Sequence, residues 1–387
     1  MLSLAAFTGA MVLINFLFNP YRAWRHRLID GIYYRVHVGR ERVITPYMIR
    51  TVEPSTVLLG SSRVLMGMSI DQGFKDDYLN AALSAASLPE ISREVDLALR
   101  NPRLKRIIWG VDFFAFERRW VPDPNTYARL RGNLRLRVLD TLLSAGALDA
   151  TFHLLDRAID GRHDLPANAL QPIPWSREFI CRSFASDEGM GLASLGPERA
   201  AVHVRWAIPM YWNYQFSSTA MPTFREIVAK IRRANVELIV FLPPMSQYEL
   251  ESLRQNGQWG HFQQWKRELA RTTPYFDFSG YNQLAHTDRM FRDLMHMQPE
   301  VGHTILRHFL GDPDVTCGAN GRIVLSSELT VNPGNIDRIL ALQDQREQMA
   351  NVEPNKYYQA VARALVQGHG DWVKMGWLHT EDKTHTN

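Results

Sequence analysis

Two short polar motifs contain the residue types of a serine nucleophile and its base. The first is Gly60-Ser61-Ser62-Arg63, which directly follows an apolar run at residues 57–59. A glycine after a strand permits a tight turn, and such a turn would hold the hydroxyl of Ser62 free at the edge of a sheet. Ser62 is therefore a candidate nucleophile. Alternatively, the motif is an ordinary loop in which Ser61 or Ser62 caps the next helical turn.

The second motif places an aspartate, Asp293, three residues before a histidine, His296. On a helical turn or in a tight loop the two side chains would share a face. Asp293 would then hold one ring nitrogen of His296 and leave the other nitrogen for a ligand. A serine nucleophile needs such a base and such an orienting carboxylate. Taken alone, the motif is better explained by a surface Asp and His beside a helix start.

Arg63 follows the serines and has two candidate roles. It would either bind a carboxylate or phosphate of a substrate, or form a structural ion pair with Asp112 or Asp293. Three more histidines lie near the second motif: His286, His303 and His308. Their spacing is not that of a metal site, so we expect neither a metal nor a cofactor.

The segments around the motifs alternate between two patterns. Short apolar runs, which are typical of buried parallel strands, lie at residues 58–64, 105–116, 236–244 and 274–280. Helix-like periodicity lies between them, at residues 89–99, 223–234 and 262–270. This alternation predicts an α/β fold with a doubly wound parallel sheet. Ligands of such sheets bind at the carboxyl ends of the strands, and both motifs follow strands.

The alternation stops within residues 118–219, which we interpret as a helical and aromatic insertion with a helix at 136–147. Its aromatic cluster comprises Tyr211, Trp212, Tyr214 and Phe216. These side chains would either stack on sugar rings or pack the insertion onto the core. The α/β domain would then comprise residues 51–117 and 220–330. C-terminal helices at 336–349 and 355–366 and a polar tail would fill residues 331–387.

The N-terminal residues, 1–20, predict a membrane anchor. From Leu2 to Phe18 the chain has no charged residue, and this length is near the lower limit for a span. A signal-peptidase motif does not follow, which favours an uncleaved anchor over a signal peptide; a buried core helix is the third interpretation. Residues 21–50 would be a basic juxtamembrane linker. Six arginines lie in it: Arg22, Arg25, Arg27, Arg35, Arg40 and Arg42.

The predicted location is the inner (cytoplasmic) membrane, as a single-pass protein with a periplasmic or other extracytoplasmic domain. The positive-inside rule opposes this orientation, because the arginines follow the apolar segment. A domain held at the cytoplasmic face is therefore the alternative. Cys181 and Cys317 would pair if the domain is exported and stay reduced if it is not.

The composition is that of a globular protein. The chain has 387 residues, of which 45% are hydrophobic and 22% charged, and this length suits a large single domain with insertions or two domains. The formal net charge is only +4. Since no zinc-finger, RNP-like or phosphate-loop spacing accompanies it, we expect no nucleic-acid partner.

Together, the serine after the first strand and the Asp-x-x-His motif after the last resemble the SGNH or GDSL hydrolase superfamily. The resemblance implies a catalytic triad of Ser62, His296 and Asp293. It continues in residues 78–87, which are similar to the block whose backbone N–H helps to form the oxyanion hole. Ala82 or Ala85 stands there in place of the usual glycine.

A third block of the superfamily resembles residues 109–114, where Asp112 replaces an asparagine that commonly donates to the oxyanion. An ionised aspartate cannot donate, so Asp112 would instead fix the serine loop or be protonated. The oxyanion and substrate-binding candidates are therefore Ser61, Arg63, Asn80, Ala85 and Asp112.

The apolar N-terminus together with the segments GSSR, DFFAF, FLPPMS and DLMHMQPEVG looks most like a membrane-anchored branch of that superfamily. This branch is related to alginate O-acetyltransferase-like proteins and to the D-alanyl-transfer protein of teichoic acid synthesis. The resemblance covers residues 57–112 and 224–310. It implies acyl transfer or ester hydrolysis on a cell-envelope polysaccharide or related glycan, with O-acetyl groups as the candidate, and a membrane-bound acyltransferase as a partner. The alternative is a catalytically silent protein that binds a glycan or that partner.

Overall fold

The computed structural model describes residues 2–26, 28, 41–68, 78–122, 134–159, 210–211, 213–286, 290–309, 316–317, 321–322 and 330–349. The predicted helix at 355–366, Trp212 and Cys181 lie outside these residues, so the structure says nothing of a Cys181–Cys317 pair. The described part is an α/β fold. Its strands are β1 (Thr56–Leu59), β2 (Tyr78–Asn80), β3 (Arg106–Gly110), β4 (Glu237–Leu242), β5 (Tyr275–Asp277), β6 (Thr316–Cys317), β7 (Gly321–Arg322) and β8 (Thr330–Val331).

Six of these strands form one mixed sheet in the order β2-β1-β3-β4-β5-β8. The first five strands are parallel, and β8 pairs antiparallel with β5. Val57 of β1 is in register with Leu79 of β2 and with Ile107 of β3, and all three are buried. The predicted α/β fold is confirmed, and the sheet, which we predicted to be parallel, is mostly parallel with one antiparallel strand. The sequence patterns did not single out β2, which has only three residues.

Helices fill the intervals between the strands. They are α1 (Leu2–Phe18), α2 (Glu41–Val52), α3 (Ser62–Gly67), α4 (Leu88–Ala98), α5 (Leu134–Leu142), α6 (Ala145–Ile159), α7 (Ala220–Arg233), α8 (Gln247–Gln255), α9 (Trp259–Thr272), α10 (Gln283–His286), α11 (Pro299–Phe309) and α12 (Ile336–Met349). Helix α4 contacts α7, which contacts α9, whereas α3 contacts α11. Two such groups of helices are compatible with three layers.

Three predicted elements have clearly different boundaries in the structure. The predicted strand at 105–116 ends at Gly110, and Phe113–Phe116 form a 3₁₀ helix. The first predicted strand, 58–64, ends at Leu59, and α3 begins at Ser62, because the side chain of Ser61 caps that helix by accepting from the amide of Arg63. The predicted helix at 136–147 is two helices, α5 and α6, separated at residues 143–144.

The predicted linker, residues 21–50, contains parts that belong to the core. Tyr21 and Ala23 are buried, and α2 contributes Tyr47 and Ile49 to the same hydrophobic cluster. Helix α2 packs against α4 and β2. This part of the chain is therefore integrated with the sheet.

Helix α1 covers the predicted anchor segment and contacts α5 and α6. The buried Asn15 side chain donates to the carbonyls of Thr141 and Leu142 at the end of α5, at 3.3 and 3.0 Å. Exposed apolar side chains lie along the rest of α1: Leu4, Phe7, Leu13 and Phe16. Among the described residues, none of the helices combines the length and the apolar character needed to cross a membrane.

Candidate active site

The candidate nucleophile lies at a sharp turn between β1 and α3. Gly60 has a φ of +150°, and a Cβ added there would collide with the side chain of Val64. Because glycine has no side chain, it permits both this conformation and the close approach of α3 to the strand. Ser62 is the first residue of α3 and is partly exposed, whereas Ser61 is buried beside it.

The aspartate and the histidine lie in a tight loop rather than on a helix. Phe291 and Met297 pair across the loop as an antiparallel bridge, which brings its two ends together. The hydroxyl of Ser246, at the start of α8, donates to the carbonyl of Leu294 at 2.7 Å. The Asp-x-x-His loop is thus fastened to the segment that follows β4.

Ser62, His296 and Asp293 form a continuous line of hydrogen bonds. The Nε2 atom of His296 lies 2.9 Å from Ser62 Oγ, and its Nδ1 atom lies 2.8 Å from Asp293 Oδ1. Since a carboxylate only accepts, Nδ1 carries the proton and Nε2 accepts from the serine hydroxyl. This is the arrangement in which a histidine can remove the proton of a serine.

Asp293 is held as a carboxylate. Burial by itself would raise the pKa of Asp293, but hydrogen bonds from the ring of His296 and from the amides of Met295 and His296 lower it to about 2. The carboxylate therefore stays charged over the physiological range and would stabilise a positive charge on the imidazole.

Ser61 has different hydrogen-bond partners from Ser62. Its Oγ accepts from the amide of Arg63 at 3.2 Å and shares a side-chain hydrogen bond with Asp112. Burial raises the pKa of Asp112, although Arg63 and Ser61 oppose this shift. The geometry thus separates the two serines, since Ser62 bonds the histidine and Ser61 bonds the aspartate.

Arg63 lies at the centre of a buried charged group. Its guanidinium forms an ion pair with Glu249 of α8, and its Nε lies 3.3 Å from Asp112 Oδ1. Burial alone would lower the pKa of Arg63, but Glu249 and Asp112 together raise it, so it stays charged. Tyr211 completes the group by donating to Glu249 at 2.5 Å. Arg63 is thereby occupied by protein carboxylates and does not contact Asp293.

The remaining candidates lie after β2. The side-chain nitrogen of Asn80 donates to the backbone carbonyls of Val64 and Met68, each at 3.0 Å. The side-chain oxygen of Asn80 accepts from the backbone amide of Ala82. Asn80 is therefore directed at α3 and not at the line of Ser62 and His296.

Ala85 has a left-handed backbone with a φ of +51°, a conformation that glycine adopts more readily than other residues. Within the described part of the chain, the amides of Ala85 and Ser62 have no hydrogen-bond partner. Of the two positions that stand in place of the superfamily glycine, Ala85 therefore has the free amide, whereas the amide of Ala82 is bound by Asn80.

Two aromatic residues of the predicted cluster, Tyr211 and Tyr214, pack inward. Both are buried, and Tyr214 stacks on Phe113 with the ring centres 4.3 Å apart.

A small recess lies near the serine turn, between the end of β3 and the loop after β2. Its lining includes Gly60, Ser61, Ala86, Val111, Asp112 and Ala115.

Glu249 is the site residue that the sequence patterns did not indicate. It stands three residues after Ser246, a spacing that predicts a capping box and hence only a helix start. In the structure Ser246 does cap α8, but the side chain of Glu249 binds Arg63 instead.

No protein-family model matches the chain, and a search of curated proteins found no match.

Proposed function

We propose that the protein is a serine-dependent acyl-transfer enzyme of the SGNH type. The observation that carries this proposal is the line of hydrogen bonds from Ser62 through His296 to Asp293. The strand order β2-β1-β3-β4-β5 supports it, since it is the flavodoxin-like order, in which ligands bind at the switch point between β1 and β3. Ser62 follows β1 at that point.

In the proposed reaction Ser62 Oγ attacks the carbonyl carbon of an ester while His296 Nε2 takes the hydroxyl proton. The tetrahedral intermediate then collapses, the bond to the alcohol oxygen breaks, and His296 returns the proton to the leaving alcohol. The acyl group stays on Ser62. Water or an acceptor hydroxyl, deprotonated by His296, attacks this acyl-enzyme and releases Ser62.

The negative charge on the intermediate needs donors, and the amides of Ser62 and Ala85 are the candidates. Asp112 does not take the part of the superfamily asparagine in this proposal. Instead it fixes the serine turn through Ser61 and Arg63. The oxyanion would therefore be bound by backbone amides, which are effective donors because their positions are fixed in advance.

The proposed substrate is an O-acylated cell-envelope polysaccharide or related glycan, and the proposed acyl group is acetyl. The resemblance of the site motifs to membrane-anchored SGNH proteins supports this choice. We further propose that α1 attaches the protein to the inner membrane, on the extracytoplasmic side, where a membrane-bound acyltransferase would be its partner.

The test uses the full chain in mild detergent, because Tyr21, Ala23 and α2 belong to the core. Wild type is expected to hydrolyse p-nitrophenyl acetate and to form a fluorophosphonate adduct, which mass spectrometry locates on Ser62. Ser62→Ala and His296→Ala should abolish both reactions, whereas Ser61→Ala should retain the adduct. His261→Ala is the matched control, since this histidine bonds Gln258 and none of the three triad residues.

Folded wild-type protein that neither turns over the ester nor forms the adduct would contradict the proposal. That result would favour the second candidate function, a catalytically silent protein that binds a glycan or a membrane acyltransferase. The specific observation behind this second candidate is Asp112, which stands where active members commonly have a donor.

A further inference from the structure

The loop that contains Ala85 is fixed at both ends by charged side chains. The amide of Ser84 donates to Glu41 Oε1 at 2.9 Å, and the carbonyl of Ser84 accepts from Arg42 Nη2 at 2.7 Å. At the other end, Glu90 Oε2 accepts from the amide and the hydroxyl of Ser87, at 2.9 and 2.7 Å. Ala85 thus lies between Ser84 and Ser87, which are both held by hydrogen bonds to charged side chains.

Arg42 connects the two ends of the loop, because it bonds both Glu90 and the carbonyl of Ser84. Its Nε donates to Glu90 Oε1 at 2.7 Å and its Nη2 approaches Glu90 Oε2 at 3.3 Å, while the same Nη2 bonds the Ser84 carbonyl. A planar guanidinium has donors in a fixed fork, so it can hold a carboxylate and a carbonyl at once. Since Glu41 and Glu90 are buried, these charge-assisted bonds are only weakly screened by solvent.

A neighbouring carboxyl group does not compete for Arg42. Glu94 lies one turn after Glu90 on α4 and is fully buried, and its carboxyl oxygens have no hydrogen-bond partner among the described residues. Burial, and next the charge of Glu90, raise the pKa of Glu94 well above its usual value. Glu94 thus forms no hydrogen bond with Arg42, which binds Glu90.

We propose that Arg42 and Glu41 are positioning residues that hold the amide of Ala85 at the oxyanion of the acyl-transfer reaction. The inference rests on the proposed function. It gives a catalytic purpose to the left-handed Ala85, whose conformation is unfavourable for a residue other than glycine and persists because its surroundings impose it. Two further contacts hold the same loop: Ala85 accepts from Trp120 Nε1 at 3.1 Å, and the amide of Leu83 donates to Gly60 at 3.0 Å.

The test compares Arg42→Ala, Glu41→Ala and Glu41→Gln in the full chain. A lost positioning residue weakens binding of the transition state and not of the ester. We therefore expect Arg42→Ala and Glu41→Ala to lower kcat for p-nitrophenyl acetate by about 10- to 100-fold, with KM within about twofold of wild type. The rate of fluorophosphonate labelling should fall in parallel, because the tetrahedral phosphorus places an oxygen in the same hole.

Two variants separate positioning from general damage to the fold. Glu41→Gln keeps an acceptor for the amide of Ser84 and should recover most of kcat. Lys230→Ala removes an ion pair with Asp96 on the same helix as Glu90, α4, but does not touch the loop, and it should leave kcat within about twofold. Hydrogen exchange of residues 84–87 should accelerate in Arg42→Ala and not in Lys230→Ala.

The possible outcomes distinguish failure of the proposed function from failure of the positioning role of Arg42 and Glu41. If wild type neither reacts with the probe nor turns over the ester, the proposed function fails, and this inference fails with it. If wild type reacts and Arg42→Ala reacts at the same rate, the inference alone is overturned. A rise in KM with kcat unchanged would also overturn it, because that pattern indicates uniform binding of substrate and transition state.

Discussion

The orientation of His296 depends on one carboxylate. Asp293 accepts from His296 Nδ1 at 2.8 Å and so leaves Nε2 free to accept from Ser62. An asparagine could instead donate to Nδ1, which would favour the wrong tautomer. We expect Asp293→Asn to lower kcat for p-nitrophenyl acetate by about 10³- to 10⁴-fold while the protein stays folded. Asp337→Asn, which changes an exposed ion pair with Arg267, is the control. Retention of more than about a tenth of kcat in Asp293→Asn would contradict the assigned role.

The same carboxylate makes stability depend on pH. The folded pKa of Asp293 is about 2, below the ordinary value of about 4. A lowered pKa means that the group stabilises the fold above about pH 4 and that this stabilisation is lost as the pH falls toward 2. We expect the free energy of unfolding of wild type to fall by about 2 kcal/mol more than that of Asp293→Asn between pH 5 and pH 2. Urea unfolding at several pH values measures this difference. If the free energies of unfolding of wild type and Asp293→Asn changed in parallel with pH, the hydrogen bonds to Asp293 would not stabilise its charged form.

Arg63 balances two buried carboxyl groups, Asp112 and Glu249. Its removal would leave both carboxyl groups without a buried counter-charge. We expect Arg63→Ala to lower the free energy of unfolding by about 3–5 kcal/mol. Urea denaturation is the measurement, and Arg106→Ala, at a more exposed pair with Glu237, should cost no more than about 1 kcal/mol. Equal losses in the two variants would mean that the buried group contributes no more than a surface pair.

At the scale of elements, the contact between α3 and α11 sets the distance between the serine and the histidine. Ser62 begins α3, and α11 begins three residues after His296. The two helices meet at glycines, since a Cβ on Gly302 would overlap the carbonyl of Gly67. We expect Gly302→Ala to separate the helices, to destabilise the fold by about 1–3 kcal/mol and to lower kcat.

A second helical glycine provides the control for this prediction. Gly260 in α9 has open space around its Cβ position, so Gly260→Ala should stabilise the protein by up to about 1 kcal/mol. Both variants exchange a helical glycine for alanine, so thermal unfolding and ester turnover isolate the effect of the contact. A stable and fully active Gly302→Ala would show that the spacing of α3 and α11 does not control the site.

The elements that local patterns could predict are those with long or regular signals. Helix α12 has the predicted bounds, 336–349. The serine motif directly follows β1, and the Asp-x-x-His motif comes after β5 and α10, so both follow parallel strands of one mixed sheet. Periodicity could not indicate β2, because three residues are too few to establish a pattern.

Sequence periodicity also could not indicate the ion-pair partner of Arg63, because Glu249 lies 186 residues away. Its local spacing to Ser246 predicts a cap and nothing more. The contacts around the left-handed Ala85 are likewise long-range: Trp120 bonds Ala85 itself, and Glu41 and Arg42 bond Ser84. No local pattern contains them.

At the scale of the whole molecule, the N-terminal segment is joined to the domain and is also unusually exposed. The buried amide of Asn15 binds carbonyls at the end of α5, so α1 has a fixed place on the protein. A helix of 17 residues without a charge that presents large apolar side chains to solvent is typical of an interaction surface. Arg25 follows this helix and is exposed, but it pairs with Glu53. The apolar side chains of α1 therefore carry the argument, and a lipid surface would match them.

The proposed membrane attachment predicts that the exposed side chains of α1 bind lipid. Full-length protein should float with vesicles of phosphatidylglycerol and phosphatidylethanolamine. Exchange of Leu4, Phe7 and Leu13 for glutamine should release it, because each buried apolar side chain contributes about 1.5–3 kcal/mol. Val121→Gln is the control, since Val121 is equally exposed but lies outside α1. Wild type that stays in the soluble fraction with vesicles present, or a triple variant that floats as wild type does, would show that α1 does not carry the attachment.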